Sequence, residues 1–191
     1  MPLSIALISQ TGNVMKTTLA AALAIRFAAD DVKTTILDLD REHLVRGASI
    51  ATWFKERKSL YPERPTAEVA TPNSAQEALD YLLTSSADVA ILDCPSRATE
   101  ASYLIASDAD FTVLPLVPGT KDATLTAVTL RQIVAKGVHP SRLAVLMTRT
   151  GSASEASEFQ AWVRKLDLGI TMLEPHIPER TAYRNAISKH L

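Results

Sequence analysis

Hydrophobic and polar positions alternate in blocks along this chain, because short apolar runs recur and each is followed by a segment of helical length. Several of the runs are apolar at every position, which is typical of strands covered by helices on both faces. The runs predict six strands, at residues 3–8, 34–37, 89–92, 111–116, 143–147 and 170–173. Alternating strands and helices with right-handed crossovers predict an α/β fold with a doubly wound, mostly parallel sheet flanked by helices.

The intervening segments contain helix start and stop signals. Residues 17–29 place apolar side chains one turn apart. Ser74 with Glu77, and Ser152 with Glu155, are typical of capping boxes that begin two further helices. A fourth helix is predicted over residues 123–136, with Gly137 as its stop. The proline-rich segment 59–73 predicts an edge strand or a surface loop and no domain boundary.

Length, net charge and cysteine content indicate which classes of protein this chain can belong to. A length of 191 residues predicts one domain over residues 1–191. The net charge of −1 excludes a globally basic nucleic-acid binder but leaves room for a local basic patch. The single cysteine, Cys94, has no partner for an internal disulfide, which fits a reducing cytoplasm. With no basic leader at the N-terminus and no apolar run of about 20 residues, we expect a soluble, cytoplasmic protein without a signal peptide or membrane association.

The first strand is followed by a candidate phosphate-binding loop, "SQTGNVMKTT", at residues 9–18. Free amides at a helix N-terminus attract anions, and ligands of doubly wound sheets sit at the carboxyl ends of the strands. Lys16 would add a positive charge near the phosphates, and Thr17 a hydroxyl for Mg²⁺. Only one glycine, Gly12, stands in a loop type that normally has several. Alone, the pattern does not separate a nucleotide site from an ordinary helix start.

Two other strand ends favour the nucleotide site. "TTILDLD" ends with Asp38 and Asp40, and "DVAILDCP" places Asp93 after an apolar run, the arrangement of a Walker B site. Parallel strands end at one edge of a sheet, so these acids would lie beside the loop. Together they would supply an acid that orients water and an acid on the magnesium side.

With these motifs the chain resembles the ParA/MinD family of deviant Walker ATPases, especially the short ParA-type plasmid-partition proteins. The family loop Q-K-G-G-x-G-K-T-T compares with "QTGNVMKTT", its D-x-D-P-Q with "DLDRE", and its I-I-D-x-P with "ILDCP". The resemblance continues through "SDADFTVLPLVPGTKDATLTAVTL", "VLMTRTG" and "IPERTAYRNAISKHL", and thus covers nearly the whole chain. It implies a P-loop NTPase fold with ATP and Mg²⁺ as ligands.

The resemblance also implies individual roles. Lys16, Asp40 and Asp93 would be the catalytic group, with Lys16 on the phosphates and Asp40 positioning the attacking water. Thr17, Asp38 and Asp93 would surround Mg²⁺. The implied nucleotide contacts are Gly12, Asn13, Val14, Met15, Lys16, Thr17, Thr18, Thr148 and Arg149, the last two near adenine.

Three loop positions depart from the family. Thr11 replaces the signature lysine, which reaches the partner subunit's phosphates in the family's ATP-sandwich dimer. Asn13 and Met15 replace glycines, which allow close approach of the backbone to phosphate and a positive φ. Losing a well-placed cation costs orders of magnitude in phosphoryl transfer. We therefore expect slow or impaired ATP hydrolysis.

Basic residues near the C-terminus suggest a second surface. In ParA-type proteins, basic residues of late helices bind DNA without sequence preference, which implies this role for Arg164, Lys165, Arg180, Arg184 and Lys189. A solvated helical face is the alternative explanation of these charges. The segment "TWFKERKSLYPER" is either another partner surface or an ordinary amphipathic helix.

The leading hypothesis is a ParA-like partition protein of the nucleoid that binds Mg·ATP, forms a homodimer, coats DNA and responds to a small centromere-binding adaptor. One alternative is a non-catalytic DNA-binding or scaffold protein that keeps the fold without hydrolysis. Another is a positioning ATPase for a cargo other than DNA, since one fold supports many functions.

Overall fold

The structure is a computed structural model that describes residues 1–40 and 49–188. Its strands are all parallel and form one seven-stranded sheet in the order β3-β2-β4-β1-β5-β6-β7. The strands are β1 (Leu3–Ser9), β2 (Thr34–Asp38), β3 (Glu68–Ala70), β4 (Val89–Ser96), β5 (Phe111–Leu116), β6 (Leu143–Thr150) and β7 (Thr171–Pro178). The predicted doubly wound α/β fold is confirmed.

Seven described helices connect and cover the strands: α1 (Lys16–Ala29), α2 (Ile50–Leu60), α3 (Ala75–Thr84), α4 (Glu100–Asp108), α5 (Thr120–Ala135), α6 (Ala153–Arg164) and α7 (Thr181–Ser188). The predicted N-caps are confirmed. The Ser74 and Ser152 hydroxyls accept from the amides of Glu77 and Glu155, each at 3.1 Å. Gly137 follows α5 at a φ of 92°, a conformation that favours glycine.

The sheet separates two hydrophobic clusters. One face carries α1 and α2, whose Ala20, Ala24 and Phe54 pack on Leu7, Ile36 and Ile91. The other face carries α3 to α6 over alternate strand residues such as Ala6, Ile8 and Leu92. Burial on both faces explains why most strands read as continuous apolar runs.

Some elements were missed or shortened by the sequence predictions. Helix α4 was not predicted, and β4, β6 and β7 extend beyond their predicted ranges. The segment with prolines contains β3, a three-residue edge strand, as one of its two predicted alternatives. Most of "TWFKERKSLYPER" belongs to α2, with Phe54 buried and Lys58 exposed, as expected of an amphipathic helix.

The chain reverses its direction of winding at β1. It moves from β1 toward β2 and β3 on one side, and from β4 toward β5, β6 and β7 on the other. Such a switch point leaves a crevice at the carboxyl ends of the strands. The loop after β1 lies at that crevice. In residues 1–40 and 49–188 no helix is both long and apolar enough to cross a lipid bilayer.

Candidate functional site

The loop between β1 and α1 has a left-handed backbone at two residues that are not glycine. Asn13 and Met15 both adopt left-handed conformations, at φ 63° and φ 68°. Met15 is also the N-cap of α1, which begins at Lys16. A side chain with a Cβ pays about 1 kcal/mol or more for this conformation, and asparagine tolerates it better than methionine. The backbone is thus strained at the two positions where the loop of the ParA/MinD family has glycine.

The end of strand β6 fixes this loop in place. The Thr148 hydroxyl, which is fully buried, donates to the Val14 carbonyl at 3.2 Å. The Arg149 guanidinium donates to the Asn13 carbonyl at 3.1 Å and pairs with Glu179 at 2.5 Å. Both side chains that were predicted near adenine therefore bind the loop backbone. Their contact with a base stays a prediction.

Lys16 is buried at the first turn of α1 and lies in a polar environment. Its Nζ donates to Ser9 Oγ at 3.0 Å and to Ser96 Oγ at 3.2 Å. Burial lowers the pKa of Lys16, and the nearby carboxylates of Asp93 and Asp40 oppose that shift. The ammonium group thus lies between hydroxyls and acids at the edge of the sheet, where the sequence predicted a phosphate-binding cation.

The three predicted acids gather beside Lys16. Asp38 and Asp93 are register partners on β2 and β4, and the amide of Asp40 donates to Asp38 Oδ1 at 3.1 Å. All three are buried. Burial raises the pKa of Asp93 to about 7, while a hydrogen bond from Thr17 and the charge of Lys16 work in the opposite direction. Near neutral pH this carboxyl is thus poised between its two protonation states.

The residues present fit a hydrated magnesium ion. Oδ1 of Asp93 is buried and accepts no hydrogen bond from the described part of the chain, so it offers an oxygen ligand. The Thr17 side chain hydrogen-bonds to the same carboxylate. Mg²⁺ prefers oxygen ligands and usually keeps several waters beside one or two carboxylates and substrate phosphates. Residues 1–40 and 49–188 form no metal cluster from three or more His, Cys, Asp or Glu side chains.

A cavity of about 540 Å³ opens next to the loop. Gly12 and Asp40 line it together with Ser96 at the end of β4 and Arg97 directly after it, and residues at the start of α3 and α4 also line it. A Cβ on Gly12 would meet Ser96 Oγ at an ordinary 3.7 Å, so this glycine is not required by space. The predicted water-positioning acid thus faces a space large enough for a small ligand.

Three of the predicted DNA-binding residues precede or follow the edge strand β7 in the chain. Arg164 and Lys165 are exposed at the end of α6, and Arg164 pairs with Glu174 at 3.3 Å. Arg180 is exposed and lies two residues after the end of β7. Arg184 lies in α7. Lys189 lies outside the described residues.

Comparison with known proteins agrees with this geometry. The family model of the CobQ/CobB/MinD/ParA nucleotide binding domain matches residues 5–191. The chain belongs to this family. A protein named ParA from Rhizobium radiobacter is 28% identical over 180 residues, which cover 92% of this chain and 78% of that protein.

Solved structures share the fold at low sequence identity. A variant of McdA from Cyanothece in complex with ATP has a TM-score of 0.74 at 15% identity and covers 100% of this chain and 88% of its own. A putative plasmid partition protein from Borrelia burgdorferi bound to AMPPNP has a TM-score of 0.73 at 13% identity. The match covers 99% of this chain and 90% of that protein's chain. The predicted family and P-loop NTPase fold are thereby confirmed.

Sequence reasoning missed several residues of the site. Ser9 and Ser96 bind the Lys16 ammonium group, but neither belongs to a motif with recognisable spacing. Gln10 donates to the Ala98 carbonyl and to the Tyr103 hydroxyl, each at 3.4 Å, and so links the loop to α4. Arg97 was also missed. The one signal that could have found Ser96 and Arg97 is their position directly after "ILDCP".

Proposed function

We propose that this chain is a ParA-like partition protein that binds ATP with Mg²⁺ in the loop after β1. The left-handed backbone at Asn13 and Met15 carries the proposal. Backbone strain of this kind persists only where the surrounding structure enforces it, and it concentrates at functional sites. Thr148 and Arg149 enforce it here through the loop carbonyls. The ATP and AMPPNP named for the two structural neighbours support the same ligand class.

In this proposal the side chains around the loop have separate roles in binding and hydrolysing the nucleotide. The Lys16 ammonium exchanges its Ser9 and Ser96 hydroxyl contacts for phosphate oxygens. Asp40 orients the attacking water from the cavity it lines, and Thr17, Asp38 and Asp93 surround the metal. When bound, the ion supplies positive charge to the phosphoryl oxygens. With a single cation in the loop, hydrolysis is slow.

The remaining activities follow from the family placement and from the surface. The protein dimerises through the nucleotide face, binds DNA nonspecifically through the basic residues beside β7, and responds to a small centromere-binding adaptor. It acts on the nucleoid in the cytoplasm. The name ParA of the Rhizobium radiobacter relative supports the partition role.

Titration with a fluorescent ATP analogue in the presence of Mg²⁺ tests nucleotide binding. We expect the wild type to bind and Lys16→Ala to bind at least about 10-fold more weakly, because a charge-assisted contact to phosphate is lost. Lys33→Ala is the matched control. Lys33 directly precedes β2 and so lies at the amino ends of the strands, whereas the loop lies at their carboxyl ends. Circular dichroism verifies that each variant is folded. Equal absence of binding in wild type and Lys16→Ala would remove ATP from the proposal.

One observation favours a second candidate, a scaffold protein without hydrolysis. Lys16 is only 6% exposed, and its ammonium is already bound by two hydroxyls, so the loop is satisfied without phosphate. Phosphate release with DNA present separates the two candidates. Turnover that Asp40→Ala abolishes supports the ATPase, whereas binding without any turnover supports the scaffold.

A further inference from the structure

The nucleotide site is short of positive charge. Lys16 is the one cation between residues 9 and 18, and the buried acids Asp38, Asp40 and Asp93 surround it. A triphosphate adds several negative charges at the same place. Anions are held in protein sites by donors and cations arranged around them, and a buried charge without compensation is costly. A second cation from another element would correct this imbalance.

Arg97 is in position to provide it. It lines the cavity shared by Gly12 and Asp40. Both of its neighbours in the chain are tied to the loop region: Ser96 Oγ accepts from Lys16 Nζ at 3.2 Å, and the Ala98 amide donates to the Ser9 carbonyl at 3.1 Å. The backbone of Arg97 is therefore held against the start of the loop.

The Arg97 side chain is exposed, and it forms no ion pair or hydrogen bond within residues 1–40 and 49–188. Its backbone is left-handed, at φ 73°, a conformation that is uncommon for arginine. The other arginine held at positive φ, Arg149, is bound to Asn13 and Glu179. A guanidinium group presents a rigid fork of donors that matches phosphate oxygens in pairs.

We propose that Arg97 binds the terminal phosphate of a nucleotide held in the loop of the same chain and so supplies the site's second cation. This inference rests on the proposed nucleotide binding. It assigns the end of β4 a part in nucleotide selectivity, because a group that binds the terminal phosphate distinguishes a triphosphate from a diphosphate. Asp40 and Arg97 then face the same phosphate from one cavity.

Calorimetric titration with Mg·ATP and Mg·ADP tests the assignment. Arg97→Asn removes the charge while asparagine tolerates the left-handed backbone, and Arg97→Lys restores a charge without the fork. We expect Arg97→Asn to weaken ATP binding about 10- to 100-fold and to leave ADP binding unchanged, with partial recovery in Arg97→Lys. Arg26→Ala, in the last turn of α1, is the control and leaves both affinities unchanged.

Three outcomes would overturn the proposal. If Arg97→Asn weakens ATP and ADP equally, Arg97 acts on the loop structure and not on the terminal phosphate. If it weakens neither while Lys16→Ala weakens both, nucleotide binding stands and Arg97 has no part in it. If the wild type binds neither nucleotide, the proposed function fails and this inference fails with it.

Discussion

Met15 shows how a single residue can hide a functional backbone from sequence reasoning. This chain has a long side chain at a position where the loop of the ParA/MinD family has glycine. From the sequence alone, that substitution suggests that the phosphate-binding site has been lost. The backbone nevertheless keeps φ 68° and ψ 22° at this position. Contacts from β6 and the start of α1 therefore determine the local conformation against the preference of the residue itself.

The strain at Met15 predicts an order of stability between two truncated variants. Met15→Gly and Met15→Ala both remove the side chain beyond Cβ, but only alanine keeps the penalty for a left-handed backbone. We expect the free energy of unfolding of Met15→Gly to exceed that of Met15→Ala by about 1 kcal/mol. Urea unfolding followed by circular dichroism measures the difference.

Ala22 supplies the control for this comparison, because it is exposed inside α1 with ordinary helical geometry. There Ala22→Gly should lower the free energy of unfolding by about 1 kcal/mol, the opposite sign. A Met15→Ala variant as stable as Met15→Gly would mean that the loop is not left-handed at this residue in solution.

Among individual residues, some members of the site could be predicted from the sequence, but the residues that contact them could not. Lys16, Asp38, Asp40 and Asp93 were predictable because each follows an apolar strand, and parallel strands end at one edge. Ser9, Ser96 and Arg97 were not, because their role depends on which strand ends lie side by side. The neighbourhood of β1 and β4 follows from the sheet order, which no local pattern encodes.

Among the elements, the strands were more predictable than the helices. Continuous apolar runs revealed the central strands, since burial on both faces leaves few alternatives. Helix α4 was missed because it is only nine residues long and begins with Thr99 and Ser102 as its capping pair, without the glutamate expected at that position. The edge strand β3 was left ambiguous because three residues carry little periodicity.

Strand β6 stabilises the loop through a buried hydroxyl, and that role is testable by removing the hydroxyl alone. Thr148→Val keeps the shape of the side chain but leaves the Val14 carbonyl without its donor. We expect a loss of about 1 kcal/mol in the free energy of unfolding, because an unpaired buried polar group is costly. Denaturant titration at pH 7 measures it.

The neighbouring strand β5 offers the matched control. The Thr112 hydroxyl is also fully buried, but it has no hydrogen-bond partner among the described residues. Thr112→Val should be neutral or stabilising, since it removes an unsatisfied group. Equal losses in both variants would show that the hydroxyl of Thr148 does not hold the loop and that only packing is affected.

For the whole molecule, DNA binding depends on how charge is distributed and not on its sum. A net charge of −1 gives no general attraction to DNA, so binding requires a local surface. Two groups of described basic residues flank β7, one at the end of α6 and one after β7, and Arg164 of the first group is partly neutralised by Glu174. This arrangement predicts that the two groups contribute unequally.

Measuring affinity for a nonspecific DNA duplex over a range of salt concentrations tests this distribution. Each phosphate contact contributes a slope of about −0.9 in log K against log salt, so Arg180→Ala should reduce the slope by about one such contact. Glu174→Gln should tighten binding, because it releases Arg164 and removes a negative charge. Arg26→Ala, whose arginine pairs with Asp30 outside this surface, should change neither value. Unchanged slopes in Arg180→Ala and in a double Arg164→Ala, Lys165→Ala variant would mean that this edge is a solvated face and that any DNA contact lies elsewhere.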